Sequence, residues 1–224
     1  MTSTHAVIIA AGDGTRWGDY GGHPKHFAVV DGEPILHRTV RLLQRDDVKV
    51  LVVGPDDRYK VEGSELYVPE HDPDVFDADK FLSSRALWHP DGRTIVVYGD
   101  VYWTDEAMTR VLDWPSWDWV LFGRAFESRL TGTPYGECFA QSFGSHAIAD
   151  HEAALRRIVD LYRRGLIPRC GGWEHYRAMI GIPDGLMSRH LVGDRFANID
   201  DWTDDIDYPN EWERLVQRRQ EAGL

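Results

Sequence analysis

Apolar residues in this chain fall into two kinds of run. Four are continuous: "AVIIAA" (6–11), "VKVLVVG" (48–54), "RTIVVYGD" (93–100) and "WVLFGRAF" (119–126). Unbroken apolar stretches of this length predict strands buried on both faces, as in a parallel sheet covered by helices. Between them the period lengthens to that of a helix. "EPILHRTVRLLQR" puts Ile35, Leu36, Val40 and Leu43 on one face, and "DADKFLSSRALW" aligns Phe81, Leu82 and Trp88 less regularly. "TDEAMTRVLDW" opens on Thr104 as an N-cap, with two acids in the first turn where the helix dipole favours negative charge. The order β-α-β-α-β-α-β predicts an α/β fold, a three-layer sandwich around a mostly parallel central sheet with right-handed crossovers.

After Phe126 the pattern changes. "SRLTGTPYG" is loop-like and "ECFAQSFG" reads as a strand. "SHAIADHEAALRRIVDLYRRG" is the longest helical signal, closed by Gly165, and "GGWEHYRAMI" predicts a shorter helix. No Pro/Ser/Gly tract isolates this stretch, so the expectation is one domain over residues 1–224, with 127–200 as an acceptor-side elaboration of the sheet. "DYPNEWERLVQRRQEAG" carries Asn210 followed by Glu213, the spacing of an N-terminal cap, and predicts a last helix.

Charge narrows the partners. Lys and Arg total 25 against 37 Asp and Glu, a formal charge of −12, which argues against a broad electrostatic grip on nucleic acid or an anionic membrane. Only Cys138 and Cys170 are present, in no C-x-x-C arrangement, so the expectation is two reduced thiols rather than a disulfide framework or a thiolate zinc site. The N-terminal apolar run is too short for a signal peptide and nothing later approaches a membrane span, which reads as a cytoplasmic protein. The sequence sets no oligomeric state.

Against this acidic background, "AAGDGTRWGDYGGHPKHF" (10–27) gathers glycines, Arg16 and Lys25 directly after the first predicted strand. A buried strand entering a glycine-rich turn is where an α/β sheet offers backbone N–H groups to an anion. Gly12 and Gly14 let the main chain approach phosphate oxygens, although a tight turn explains the glycines equally well. The spacing matches neither G-x-x-x-x-G-K-[ST] nor G-x-G-x-x-G. His23 and His26 flank Lys25 without a third ligand at metal-binding spacing, and are expected to be solvated or to meet phosphate.

"AAGxGTR" followed closely by "PK", and then by "DGEPILHRTVRLL", resembles the signature of the nucleotidyltransferases that activate phosphorylated sugars and alcohols, a family with a Rossmann-like (GT-A-like) α/β fold. The resemblance implies that Ala10, Ala11, Gly12, Gly14 and Thr15 touch a nucleoside triphosphate, with Arg16 and Lys25 neutralising its phosphates and acting in catalysis. The run "WGDYGGH" departs from the family pattern, and its extra glycines suit a mobile flap or a different acceptor site. Lys80 falls where relatives contact the nucleotide or acceptor, while a helix-surface role is the commoner one for lysine.

Two carboxylate segments complete the picture. Asp100 ends the strand "TIVVYGD", where hard oxygen ligands suit Mg²⁺; a turn or cap aspartate is the alternative, and the resemblance favours the metal. "DIDYPNEWERL" is similar to the family's C-terminal segment that supplies a second ligand, which implies Asp207, with Asp205 as neighbour. Asp200, Asp201 and Asp204 are expected on a solvated face, and an EF-hand is excluded because its turn glycine is missing. Core packing is the default for the nine tryptophans. Trp173 and Glu174 are nonetheless acceptor-site candidates, by a loose likeness to a "Y/W-E-x-x" helix of relatives with phosphocholine acceptors.

The implied activity is Mg²⁺-dependent transfer of a nucleotide to a small phosphorylated acceptor, a sugar 1-phosphate or phosphocholine-like ester, with release of pyrophosphate. A GT-A-type glycosyltransferase is the competing class, but it normally carries a D-x-D pair, whereas "GDVYW" holds a single acid. A non-catalytic nucleotide-binding module is the third, and an Asp100→Asn substitution that leaves its output intact separates it from an enzyme.

Overall fold

A computed structural model of the chain describes residues 3–12, 14–70 and 76–224. In chain order the strands are β1 (Thr4–Ile9), β2 (Val29–Val30), β3 (Glu33–Pro34), β4 (Val48–Val53), β5 (Glu65–Tyr67), β6 (Arg93–Tyr98), β7 (Val101–Tyr102), β8 (Val120–Arg124), β9 (Glu137–Gly144), β10 (Phe196–Asn198) and β11 (Asp204–Asp205). The helices are α1 (Ile35–Leu43), α2 (Phe76–Ser83), α3 (Asp105–Leu112), α4 (Ile148–Arg163), α5 (Gly172–Met179) and α6 (Pro209–Glu221).

The four continuous apolar runs become β1, β4, β6 and β8, all in one seven-stranded sheet of order β10-β8-β9-β6-β1-β4-β5. Parallel ladders join β5, β4, β1 and β6, and β10 to β8; β9 alone runs antiparallel, between β6 and β8. Each strand feeds both faces because side chains alternate. Ala6, Ile8, Ile95 and Val97 meet Leu36, Val40, Met108 and Val111 from α1 and α3 on one side. Val7, Leu51, Val53 and Val96 meet Phe81, Leu155, Ile158 and Tyr176 from α2, α4 and α5 on the other. The result is the expected three-layer α/β sandwich.

Local signals hold at most helix ends. Thr104 caps α3, its hydroxyl accepting the Ala107 N–H at 3.0 Å. Gly165 follows α4 with φ +67°, a left-handed conformation that glycine adopts without strain. The last helix starts earlier than the Asn210–Glu213 spacing predicts. Pro209 occupies the first turn, Tyr208 is the N-cap, and Glu211 closes the box by accepting the Tyr208 N–H at 2.9 Å. Proline at the first helical position costs no hydrogen bond, so it sets the start.

A third apolar cluster joins the N-terminal loop to α6: Trp17, Ala28, Val30, Ile35, Tyr102, Ile206 and Leu215, with Trp202 and Trp212 against it. It explains "WGDYGGH", which is fastened rather than left as a flap. The buried Trp17 indole donates to the carbonyls of Tyr20 (3.0 Å) and His23 (2.9 Å), and Tyr20 donates to Glu213 on α6 at 2.6 Å.

Candidate active site

The first strand ends against its neighbours in a way that fixes the loop. Ala10 N–H still donates to the Val53 carbonyl, and Gly99 N–H donates to that of Ile9. A β-carbon on Gly99 would collide with Ala10, so the end of β6 lies directly beside the glycine loop and Asp100 emerges next to it. Gly14, at φ +63°, turns the chain, with Trp17 and Gly18 N–H groups donating to its carbonyl. Arg16 projects from this turn with its side chain 55% exposed.

Lys25 opens a single 3-10 turn (Lys25–Phe27) and runs inward to almost complete burial. Its ammonium lies 2.5 Å from an Asp100 oxygen and 2.7 Å from an Asp207 oxygen, and Arg16 pairs with the other oxygen of Asp207. Burial alone would pull the lysine down, but Asp100 and Asp205 outweigh it and hold Lys25 above its ordinary value. Burial likewise pushes Asp100 up, and Lys25 reverses this to leave its carboxyl below the usual range.

Asp205 and Asp207 reach the same place because β11 pairs antiparallel with β7, just after Asp100, and Ile206 N–H donates to the Asp100 carbonyl at 3.1 Å. Asp100, Asp205 and Asp207 each offer an oxygen within 4.8 Å of the others. Burial, followed by Asp100 and Glu137, raises Asp205 well above a normal carboxylate. Three hard oxygen donors converging at a buried ammonium fit a magnesium ion, which is held by few carboxylates and completed by water and phosphate oxygens.

One acid that sequence patterning gave to solvent turns out to be structural. Asp204 is fully buried: Arg124 pairs with it at 2.7 Å, Ser128 and Thr131 donate to it, and it accepts the N–H of Asp205 at 3.0 Å. Asp200 and Asp201 are both exposed as expected, although Asp201 also accepts the Thr104 hydroxyl at 2.5 Å and the Thr203 N–H at 2.7 Å. A run of acids looks the same in sequence whether or not cations and hydroxyls from distant elements meet it. His26 corrects the reading in the same direction. It is buried against the Tyr59 hydroxyl at 3.1 Å, and burial lowers it to about 4, so it is a neutral core ring.

These groups border a cleft of about 400 Å³. Gly12, Gly14, Thr15, Arg16, Lys25 and Lys80 form one end, and Lys80 is buried there rather than lying on a helix surface. Ala10 and Ala11 back the loop with their methyls in the two cores. Trp173, Glu174 and Arg169 line the other end. Glu174 also accepts the Gly171 N–H and pairs with Arg177, both at 3.1 Å, so it caps α5 as well as facing the cleft.

Glu137 and Tyr135 were not singled out from sequence, yet both face the cleft. Burial pushes the Glu137 carboxyl up to about 8. Its only sequence signal was a polar residue opening a strand. Glu211 was missed as well: its carboxylate accepts the N–H of Asp207 at 2.9 Å and so holds the Asp207 segment in place. A larger hollow of about 630 Å³ adjoins across Tyr135 and Gly136, but neither the two cations nor the aspartate trio borders it.

Residues 6–113 match the family model described as the MobA-like NTP transferase domain, so the resemblance read from the glycine loop and the Pro-Lys pair holds over the first half of the chain. Over 59 residues the chain is 48% identical to a bifunctional IPC transferase and DIPP synthase of Thermococcus kodakarensis. That stretch is 26% of this chain and spans 13% of the relative's length. Among solved structures, a Bacillus anthracis protein assigned as a glucose-1-phosphate thymidylyltransferase superposes with a TM-score of 0.62 at 13% identity, over 98% of this chain and 96% of that one. The CTP:phosphocholine cytidylyltransferase of Streptococcus pneumoniae gives 0.60 at 12% identity, over 96% and 99%. At these identities the superpositions establish the fold.

Proposed function

We propose that this chain is a nucleotidyltransferase that joins a nucleoside triphosphate to a small phosphorylated acceptor, a sugar 1-phosphate or a phosphocholine-like ester, and releases pyrophosphate. The observation that carries the reading is the meeting of Arg16 and Lys25 with Asp100, Asp205 and Asp207 beside the glycine loop, at the carboxyl ends of β1 and β6. The family match over residues 6–113 and the folds of the two structural neighbours support it.

In this reading Gly12, Gly14 and Thr15 receive the nucleotide, backed by Ala10 and Ala11, with Arg16, Lys25 and Lys80 on its phosphates. A phosphate monoester has a second pKa near ~6, so at neutral pH it is already a nucleophilic dianion and needs no general base. The protein's task is to align two anionic reactants and relieve their repulsion. Phosphate oxygens take over Arg16 and Lys25 from the carboxylates. Asp100, Asp205 and Asp207 would hold Mg²⁺, which when bound supplies positive charge beside the α-phosphate. Trp173 and Glu174 belong to the acceptor side, within the 127–200 part of a single working domain. The setting proposed is the cytoplasm; in keeping with it, no helix among the described residues is long and apolar enough to cross a membrane.

The test is a panel of the four nucleoside triphosphates against phosphorylated sugars and amino alcohols, with and without Mg²⁺, reading pyrophosphate. Release that requires both a triphosphate and an acceptor is the expected result. Turnover only of a preformed nucleotide sugar would assign the site to a glycosyltransferase instead.

A further inference from the structure

Five carboxylates face the cleft: Asp100, Glu137, Glu174, Asp205 and Asp207. Four have an evident task. Asp100 and Asp207 hold Lys25, Asp205 completes the trio, and Glu174 is occupied by Gly171 and Arg177. Glu137 lies outside the trio, and among the described residues no N–H or O–H donates to its carboxylate. Arg124, in register with it across the β8–β9 ladder, directs its hydrogen bonds to Asp204 and the Phe126 carbonyl and reaches Glu137 through charge alone, with its Nη2 left unbonded. Glu137 is half-buried at the wall of the cleft, so a ligand that displaces its remaining water and supplies a donor gives it a partner that the protein does not.

The walls around Glu137 are rigid and aromatic. The Trp173 indole donates to the Gly136 carbonyl at 2.8 Å and stacks on Phe196 with ring centres 5.6 Å apart, which fixes it beside the first residue of β9. Tyr98 and Tyr135 also line the cleft, and Tyr135 is 53% exposed. Arg16, Lys25 and Lys80 line the cleft with the glycine loop, and Glu137 stands beside Gly136 and Trp173, close enough to the trio to raise Asp205, so the cleft suits a molecule that carries both anionic groups and a hydrogen-bond donor.

Resting on the proposed transferase reading, we infer that Glu137 selects the acceptor, by accepting a hydrogen bond from a hydroxyl or protonated amine on the body of the phosphorylated acceptor beside Trp173. A site built to pair with a donor discriminates strongly against an analogue lacking it, because its own polar group is then left buried and bare.

The experiment compares wild type with Glu137→Gln and Glu137→Ala on the best acceptor from the panel, alongside Mn²⁺ affinity by electron paramagnetic resonance. Glu137→Ala is expected to raise acceptor KM tenfold or more, with triphosphate KM within twofold of wild type and Mn²⁺ affinity unchanged or higher, because a charge that raises Asp205 is removed. Glu137→Gln keeps an accepting oxygen, so a hydroxyl acceptor recovers most of the loss and an ammonium acceptor recovers little. Should either variant fail to fold, wild type assayed with the deoxy or desamino analogue of the acceptor is expected to show the same rise. Unchanged acceptor KM with the alanine variant or the analogue overturns the inference, as does a fall in Mn²⁺ affinity as large as the change in acceptor KM. Absence of pyrophosphate release by wild type across the whole panel sinks the transferase reading itself, a separate failure.

Discussion

Lys25 carries the most consequence per atom. Its ammonium is the charge that lets three carboxylates crowd together and, in the proposed reaction, the charge that meets the triphosphate. Lys25→Ala is expected to lower turnover about a hundredfold, on the order found when one preorganised charge is removed, as measured by steady-state pyrophosphate release. Lys25, Asp100 and Asp207 were legible in sequence because each sits in a short motif: the Pro-Lys pair after the glycine loop, the end of an apolar strand, and the segment before the last helix. Glu137, Glu211 and Asp204 were not, because what defines them is burial and partners from distant segments. The buried histidines were equally silent. His175 packs in the core edge-on to His151 (ring centres 4.6 Å apart) and Trp119 (5.4 Å), and burial lowers it to about 3. In the unfolded chain it titrates near ~6.5, so its contribution to stability is complete above that pH and is lost as pH falls toward the folded value. Glu137 and Asp205, both raised, slope the other way, so a difference measurement isolates the ring. Relative to wild type, His175→Leu should gain about 1.4 kcal/mol per pH unit between pH 6 and 4 in urea unfolding. Parallel curves would mean that the ring already carries its proton in the fold.

At the scale of the element, α3 shows how far local rules reach. Its start was readable from Thr104 and the two acids that follow. Its end is held by a strand: Arg93 donates to the carbonyls of Val111 and Leu112, each at 2.7 Å, and to Ser142 on β9 at 2.7 Å. No pattern within the helix announces that long-range contact. Thr104→Ala is expected to cost about 1–2 kcal/mol, seen as a lower urea midpoint with an unchanged slope, because the cap and the Asp201 link are lost together. The direction of β9 was hidden for a related reason. "ECFAQSFG" identifies a strand, but whether it runs with or against its neighbours depends on the path of the connections. The last helix illustrates the opposite error, a spacing rule overridden by proline one residue earlier.

Across the whole molecule, the sheet and its two helical faces were legible because buried parallel strands leave a strong apolar signature. The fastening of loop to last helix was not. Trp212 donates to the Val29 carbonyl at 2.9 Å and meets Trp17 and Tyr20 edge-on. Trp212→Ala should therefore speed amide hydrogen exchange across residues 14–23 while leaving the β1, β4 and β6 amides slow; uniform acceleration would instead indicate loss of global stability. The lone reversed strand has one more consequence. Because β8 runs toward the rim that carries Asp100 and β9 runs away from it, the 125–136 connection leaves and re-enters the framework on the same side, like a handle. Its middle is pinned, because Ser128 and Thr131 donate to the buried Asp204 and Thr133 donates to Glu211, so chain can be added at low entropic cost only at its exposed shoulder, Phe126 and Glu127. The architecture thus ties the charge-bearing rim to the anchored middle of that handle and leaves only its outer shoulder open to re-tailoring.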